Sequence, residues 1–112
     1  MGIPKTIDND LPMTDHCPGY GSAAKYIATS MKEIIRDNES YGVSKPTICI
    51  VEIMGRHAGW LTAAAALSKD IDCSGPDLSY LPEVTFDIND FIERVKNLAK
   101  TKKSVVIAVS EG

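Results

Sequence analysis

The chain has 112 residues, of which 44% are hydrophobic and 24% are charged, and its formal net charge is −3 at pH 7. One small globular domain fits this length, and the acidic balance disfavours binding to nucleic acid or to an anionic membrane, since either calls for a surplus of Lys and Arg. The cysteines follow no disulfide or metal-ligand spacing, and there is no signal peptide or membrane-length apolar run, so we expect a cytoplasmic protein with reduced thiols.

The first predicted element is an amphipathic helix from Ser22 to about Asp37, along which apolar residues recur at helical spacing. Ser22 is its predicted N-cap. The polar segment 38–46 contains Gly42 and ends at a proline, so we expect a loop there. Thr47–Ile53 is rich in β-branched residues and almost continuously apolar, which predicts a strand covered on both faces in a parallel sheet.

Glu52 is the charged residue in this strand, and we expect it to be a buried acid satisfied by structural hydrogen bonds, because unpaired burial is costly. The segment Gly59–Lys69 has many small residues and high helix propensity, which predicts a largely buried helix. Tyr20 and Trp60 are interpreted as core residues rather than stacking platforms, because no alternating basic and aromatic pattern accompanies them.

The C-terminal half predicts strand, helix and strand in turn. Ser79–Leu81 is a short strand, Asp87 caps a helix with apolar positions from Ile88 to Ala99, and a lysine group follows at 100–103, where a helix end favours cations. Ser104–Val109 is a second buried strand. The alternation predicts an α/β fold class: a three-layer, mostly parallel sheet with helices on both faces and right-handed crossovers.

Several charged or glycine-containing segments fall where strands end, which is where open parallel sheets bind ligands. The segment 54–56 and Glu111 follow predicted strands, and the segment 5–10 follows a third if residues 1–4 continue a preceding strand. The glycine-rich segment 19–22 lacks the lysine and spacing of a phosphate loop. No repeat or linker interrupts the chain, so we expect a single domain.

Asp8 and Asp10 could divide two tasks, one carboxylate facing a substrate hydroxyl and the other a magnesium ion, which prefers few carboxylates together with phosphate and water. Asp8 is the better candidate for a base in phosphoryl transfer. Lys5 could offset charge on the transferring group, and Thr6 offers a hydroxyl ligand. The alternative interpretation is that the acidic segment only forms Asx turns.

In the second charged segment, residues 54–59, Gly55 allows a close approach of the backbone to a ligand, and Arg56 suits planar recognition of phosphate or carboxylate. A surface arginine after a tight turn is the alternative. His57, at a helix start, is interpreted as structural. Glu111 either accepts hydrogen bonds from sugar hydroxyls or is solvated.

Together these segments resemble the phosphofructokinase family. The matching segments stand in the family's order with similar intervals: Pro4–Asp10 (PKTIDND), Glu52–Leu61 (EIMGRHAGWL), Leu81–Glu83 (LPE) and Ser110–Gly112 (SEG). The resemblance covers nearly the whole chain. It implies that residues 1–112 are the central portion of a phosphofructokinase-like catalytic domain, and thus a fragment of a longer parent chain.

The resemblance implies phosphoryl transfer to the 1-hydroxyl of fructose 6-phosphate, giving fructose 1,6-bisphosphate, with Mg²⁺ as cofactor. It assigns Asp8 as the proton acceptor and places Thr6 and Ile7 in the same substrate-binding segment, with Asp10 beside the magnesium. The other matches are to sugar-binding positions: Met54, Gly55, Arg56 and Glu111.

Lys5 discriminates within the family, because members that use inorganic pyrophosphate carry Lys where many ATP-dependent members carry Gly. The resemblance therefore favours pyrophosphate as donor and keeps ATP as the alternative. The family's donor loop is absent from these residues, so we expect the chain to be inactive alone and to associate through open sheet edges. The parent enzyme is expected to be a homo-oligomer. A non-catalytic sugar-phosphate-binding regulatory module is the alternative from another class, although an effector site would need no base such as Asp8.

Overall fold

The structure, a computed structural model, describes residues 1–41 and 44–112. The elements within these ranges are α1 (Tyr20–Tyr41), β1 (Thr47–Ile53), α2 (Trp60–Ala64) with a 3₁₀ turn (Ala65–Ser68), β2 (Leu78–Tyr80), α3 (Ile88–Thr101) and β3 (Ser104–Ser110). All described strand pairs are parallel, and the strand order is β1-β3-β2. Among residues 1–41 and 44–112, none of the helices has the length and hydrophobicity of a membrane span.

The central strand β3 is buried on both faces, because its alternating side chains point into two different cores. Val106 and Ala108 pack with α1 and α2 in the larger core. Val105 and Ile107 pack with α3 and β2 in the smaller one. Helices therefore cover both sides of a parallel sheet, and the predicted three-layer α/β fold is confirmed.

The start of α1 differs from the prediction. The helix begins at Tyr20, so Ser22 lies inside its first turn and the predicted N-cap is wrong. Gly19 precedes the helix with φ at 92°, and its carbonyl accepts the first helical bond, from the Ala23 N–H at 3.0 Å. A glycine whose backbone enters the left-handed region thus sets the start, which side-chain capping rules do not anticipate.

The end of α1 also differs, because the helix continues past the predicted limit at Asp37 to Tyr41. Asn38 is buried in this last turn, and its Nδ2 donates to the hydroxyl of Ser104 at 2.7 Å. This contact with β3 holds a polar turn in the helix that propensity alone would assign to a loop. Gly42, in the predicted loop, lies outside the described residues.

Strand β1 has the predicted bounds but only one covered face. Ile48 and Ile50 are 49% and 55% exposed, and Glu52 beside them is also exposed. These side chains lie on the α3 side of the sheet, since Ile48 and Ile50 pair with the α3-facing positions of β3, and α3 packs over β2 and β3. The expectation of a strand buried on both faces and of a buried, hydrogen-bonded Glu52 is therefore wrong.

The predicted helix over Gly59–Lys69 is shorter and tighter than expected. Its α-helical part ends at Ala64, and a 3₁₀ turn follows in which the Ser68 hydroxyl donates to the Ala65 carbonyl at 2.7 Å. Its inner face is buried, but Ala63, Ala66 and Leu67 are exposed, so the prediction of a largely buried helix holds for one face alone. Trp60 is 53% exposed, so its assignment to the core is wrong, whereas Tyr20 is half-buried against the larger core.

Strand β2 begins one residue before the prediction, at Leu78, and is held by the residue ahead of it. The Asp77 carboxylate accepts from the Val106 N–H at 2.9 Å and pairs with Lys102.

The predicted cap of α3 is confirmed, because the Asp87 carboxylate accepts from the first free N–H groups of that helix at 2.7 and 3.2 Å. Local sequence rules describe this half of the chain well.

Ion pairs fasten α1 to the tight turn that precedes β2. Lys32 lies 3.2 Å from Asp70 and 2.7 Å from Asp72, and Arg36 also pairs with Asp72. The pKa of Asp70 is lowered, chiefly because its carboxylate accepts the backbone N–H of Ile71 and also because Lys32 lies beside it. These pairs are exposed, so each contributes little by itself.

Candidate functional site

The carboxyl ends of β1 and β3 meet in one site, as the sequence predicts. The Glu111 N–H donates to the Ile53 carbonyl at 3.1 Å, continuing the β1–β3 ladder by one step. The Gly55 N–H in turn donates to the Glu111 carboxylate, with N and Oε1 3.4 Å apart. Glu111 thus joins the two strand ends through both its backbone and its side chain.

Gly55 is required by the shape of the turn itself. Its φ is 128°, a conformation that favours glycine, and the Ala58 carbonyl oxygen occupies the space that a Cβ would fill. The close backbone approach predicted at Gly55 is therefore made to Ala58 within this structure. The turn leaves Met54 and Arg56 exposed, and within residues 1–41 and 44–112 the Arg56 side chain has no hydrogen-bond or ion-pair partner. Its guanidinium is available to an anionic ligand.

Glu83 supports the same turn from the other side, a role that sequence reasoning missed. Its carboxylate accepts the Gly59 N–H at 2.7 Å, just ahead of α2. A side chain at Gly59 would collide with this carboxylate, since Oε2 lies 2.6 Å from the Cβ position. Deeper in the same region, the hydroxyls of Thr62 and Ser110 lie 2.7 Å apart. The only sequence signal for Glu83 is its place in the Leu-Pro-Glu segment.

The first charged segment, residues 5–10, forms a turn at Ile7 and Asp8. The Thr6 hydroxyl accepts the Asp8 N–H at 3.1 Å, so this hydroxyl stabilises the turn. One oxygen of Asp8, Oδ1, is buried and has no hydrogen-bond partner among the described residues. Burial raises the pKa of Asp8, and the nearby carboxylates of Asp10 and Glu111 raise it further. Three acidic residues from two distant segments thus lie within electrostatic reach of one another.

Asn9, between the two aspartates, is a second residue that sequence reasoning missed. It is only 7% exposed and has φ at 59°. Its Oδ1 accepts the Cys17 N–H at 2.8 Å, and its Nδ2 donates to the Asp15 carbonyl at 3.2 Å. The available signal was its residue type, because Asn tolerates the left-handed region better than most residues. The alternative of a purely local Asx turn does not describe these longer-range bonds.

Lys5 and Ile7 lie against the start of α1. A Cβ at Gly19 would stand 3.2 Å from Ile7 Cγ2 and 3.6 Å from Lys5 Cε. Ile7 also lines an apolar cavity of about 370 Å³ between α1 and β1, and Met54 lines the same cavity. The two charged segments are therefore neighbours in the fold. Both line this cavity, and Glu111 lies near Asp8 of the first and bonds to Gly55 of the second.

A magnesium ion would find oxygen donors here but no dedicated protein cage. The described residues hold no group of three or more His, Cys, Asp or Glu side chains arranged to bind a metal. Asp10 is exposed and Asp8 has its unpartnered Oδ1. Such a sparse set of hard oxygen donors fits Mg²⁺, which keeps several waters and takes phosphate oxygens as further ligands.

Comparison with known proteins identifies the family of the chain. The family described as Phosphofructokinase matches residues 1–112. The chain is 47% identical over 110 residues to a pyrophosphate–fructose 6-phosphate 1-phosphotransferase of Rhodospirillum rubrum, covering 98% of this chain and 26% of that protein. It is 38% identical over 112 residues to an ATP-dependent 6-phosphofructokinase of Blochmanniella floridana, covering 99% of this chain and 32% of that protein.

A solved structure shows the same arrangement of elements. The crystal structure of a pyrophosphate-dependent phosphofructokinase from Marinobacter aquaeolei superposes with a TM-score of 0.87 at 45% identity, covering 97% of this chain and 28% of that one. This chain therefore spans between about a quarter and a third of the length of these relatives. The family match over every residue, together with these likenesses, establishes that the chain belongs to the phosphofructokinase family.

Proposed function

We propose that this chain forms the fructose 6-phosphate half of a phosphofructokinase that transfers a phosphoryl group from pyrophosphate to the 1-hydroxyl of the sugar. The observation that carries the proposal is Asp8, whose buried Oδ1 has no hydrogen-bond partner among residues 1–41 and 44–112 and lies near Asp10 and Glu111. The relatives at 44–47% identity carry the name of this activity, which supports the assignment.

Asp8 is the proposed base. A carboxylate that accepts the proton of an attacking hydroxyl needs a free lone pair and a fixed position. Asp8 Oδ1 has lone pairs that no described residue uses, and the hydrogen bond from the Asp8 N–H to the Thr6 hydroxyl helps to fix the position of the residue. The raised pKa of Asp8 suits a base, because it strengthens the affinity of the carboxylate for the proton.

Arg56 and Glu111 are the proposed sugar-phosphate ligands, together with Met54 and Gly55 beside Arg56 and with Thr6 and Ile7 beside Asp8. The exposed guanidinium of Arg56 can donate two parallel hydrogen bonds to a phosphate. The Glu111 carboxylate already accepts from Gly55, and its remaining lone pairs are available to sugar hydroxyls. Binding at both ends of the sugar would orient the 1-hydroxyl toward Asp8, and orientation is a large part of phosphoryl-transfer catalysis.

Asp10 is the residue proposed to hold Mg²⁺. When bound, such an ion would offset the charge of the phosphates. Asp10 would keep its exposed carboxylate turned to the ion, while Asp8 keeps its free oxygen for the sugar hydroxyl.

Lys5 supports pyrophosphate as the donor. Its side chain is exposed, with Cε near Gly19, and its ammonium group could offset charge on the transferring phosphoryl group. ATP is the second candidate, since an ATP-dependent relative is 38% identical. Comparing kcat/KM for pyrophosphate and for MgATP in the longer protein tests the donor, and a preference for MgATP would reverse the choice.

We further propose that the 112-residue chain is inactive by itself, since it spans 26–32% of the curated relatives named above. In the cell it would act in the cytoplasm as part of a longer, homo-oligomeric enzyme. A coupled assay of the isolated chain should detect no turnover, and full turnover would contradict this.

The decisive experiment replaces Asp8 with Ser in the longer protein. Loss of a general base is expected to lower kcat by about 10²–10⁴-fold while fructose 6-phosphate binding, measured by calorimetry, stays within a few-fold. Asp15→Ser is the matched control, because Asp15 is exposed and only its backbone carbonyl takes part in the loop. Unchanged turnover in Asp8→Ser would favour a regulatory sugar-phosphate-binding module instead.

A further inference from the structure

We infer that Asn9 is a positioning residue, whose buried amide fixes the loop 10–17 so that Asp8 faces the sugar hydroxyl and Asp10 faces the metal ion. This inference rests on the phosphoryl transfer proposed above. Asn9 itself contacts no reacting atom in this interpretation, because both ends of its side chain are occupied by the protein backbone.

The backbone of Asn9 explains why the residue type matters. Its φ of 59° lies in the left-handed region, which Gly adopts freely and Asn more readily than most other residues. Met13 also has a positive φ, 55°, and its side chain is fully exposed. Residues 9–17 thus contain two left-handed residues, Asn9 with a buried side chain and Met13 with an exposed one.

The side chain of Asn9 closes the loop onto the acidic segment. Its carbonyl oxygen accepts from Cys17 and its amino group donates to Asp15, so one planar amide spans the loop. Asp at this position would keep the acceptor but lose the donor, and Gly would lose both. Asn is the short side chain that supplies both groups while tolerating the backbone conformation.

The closed loop is in turn attached to a rigid element. The Cys17 carbonyl accepts the Tyr20 N–H at 3.1 Å, at the first residue of the long helix α1. Cys17 is itself 3% exposed, so this connection lies in the interior. A continuous path therefore runs from α1 through Cys17 to Asn9, which lies directly between the two aspartates. Functional side chains held by such a supporting shell keep the alignment that catalysis needs.

The test uses the longer protein and the variant Asn9→Gly, which keeps the permissive backbone and removes both hydrogen bonds. We expect kcat to fall by about 10–100-fold, with KM for fructose 6-phosphate changed by less than about three-fold, because misplacement by one ångström is enough for a loss of this size. Met13→Gly is the matched control, since it changes a left-handed residue of the same loop without removing a buried contact. It should retain wild-type kcat.

Stability is measured alongside by thermal unfolding, so that a merely structural role can be recognised. A lower unfolding temperature with kcat per folded site within two-fold of wild type would overturn the inference, as would a rise in KM alone. If Asn9→Gly does not fold, Asn9→Asp decides in its place, with Met13→Asp as the control for added charge. A kcat equal to that of the control would then overturn the inference, and a kcat at least about ten-fold lower would support it.

Asp8→Ser in the same assay separates the two proposals. If that variant keeps its turnover, the proposed function is wrong and Asn9 has no base to position. If Asp8→Ser loses turnover while Asn9→Gly does not, only the role of Asn9 is wrong.

Discussion

Gly55 offers a sharp test of how the turn after β1 is built, because adding one methyl group there meets two separate obstacles. Ala does not readily adopt the observed φ of 128°, and such backbone strain costs about 1–3 kcal/mol. The new Cβ would also overlap the Ala58 carbonyl, and overpacking of this kind costs about 1–3 kcal/mol more. Gly55→Ala should therefore destabilise the protein by about 2–6 kcal/mol.

The same chemical change at Gly21 should have the opposite sign. Gly21 lies in the first turn of α1, is exposed, and has open space where a Cβ would stand. Gly21→Ala is expected to stabilise the protein by up to about 0.5–1 kcal/mol, because Ala loses less conformational entropy in a helix.

Both variants are to be compared with wild type by urea unfolding of the longer protein, followed by circular dichroism. Hydrogen exchange of the segment 53–61 provides the local measurement, and it should accelerate in Gly55→Ala alone. Because the turn carries Arg56, the proposed sugar-phosphate ligand, KM for fructose 6-phosphate should rise in the same variant. Equal urea midpoints for Gly55→Ala and Gly21→Ala would refute the reasoning from backbone geometry.

Three further outcomes are expected. Glu111→Gln removes a negative neighbour of Asp8 and so lowers the pKa of this proposed base. Because a general base accepts the proton in its ionised form, the acidic limb of the kcat/KM profile should move to lower pH, and an unmoved limb would contradict the electrostatic coupling of Asp8 to Glu111. Asp87→Ala removes the cap of α3 and should lower the free energy of unfolding by about 1 kcal/mol in urea, whereas the exposed Asn89→Ala should not. Asp70 has a lowered pKa in the folded protein, so its contribution to stability is present above its unfolded pKa of about 3.9 and is lost as pH falls through the folded value. Asp70→Asn should therefore make the urea midpoint less sensitive to acid, and an unchanged pH profile would contradict this.

The parts of the fold that follow from local sequence were predicted well. Strand β1 stands out by its β-branched residues, and α3 by its periodicity and its cap at Asp87, because these signals depend only on neighbours along the chain. The end of α1 was missed because it depends on Asn38 meeting Ser104, a contact between residues far apart in sequence. Similarly, the exposure of one face of β1 depends on where α3 lies, which composition cannot specify.

The candidate site shows the same difference between features that local sequence predicts and features that depend on distant contacts. The meeting of Gly55 and Glu111 was predictable, because parallel strands bring their carboxyl ends to one edge of the sheet. The supporting residues were not, since Glu83 reaches Gly59 across the fold and Asn9 acts through a loop without periodicity. Residues at strand ends were thus easier to place from the sequence than the residues that support them.

The burial of Cys17 makes the loop 10–17 open to direct measurement. Its side chain is 3% exposed while its backbone bonds to Asn9 and to α1, so a thiol reagent can reach the sulfur only when the loop separates from the core. Cys73 is buried elsewhere in the structure, in the turn that pairs with α1, and provides an internal reference. The relative labelling rates of these thiols would report how often the loop 10–17 opens compared with the turn that contains Cys73.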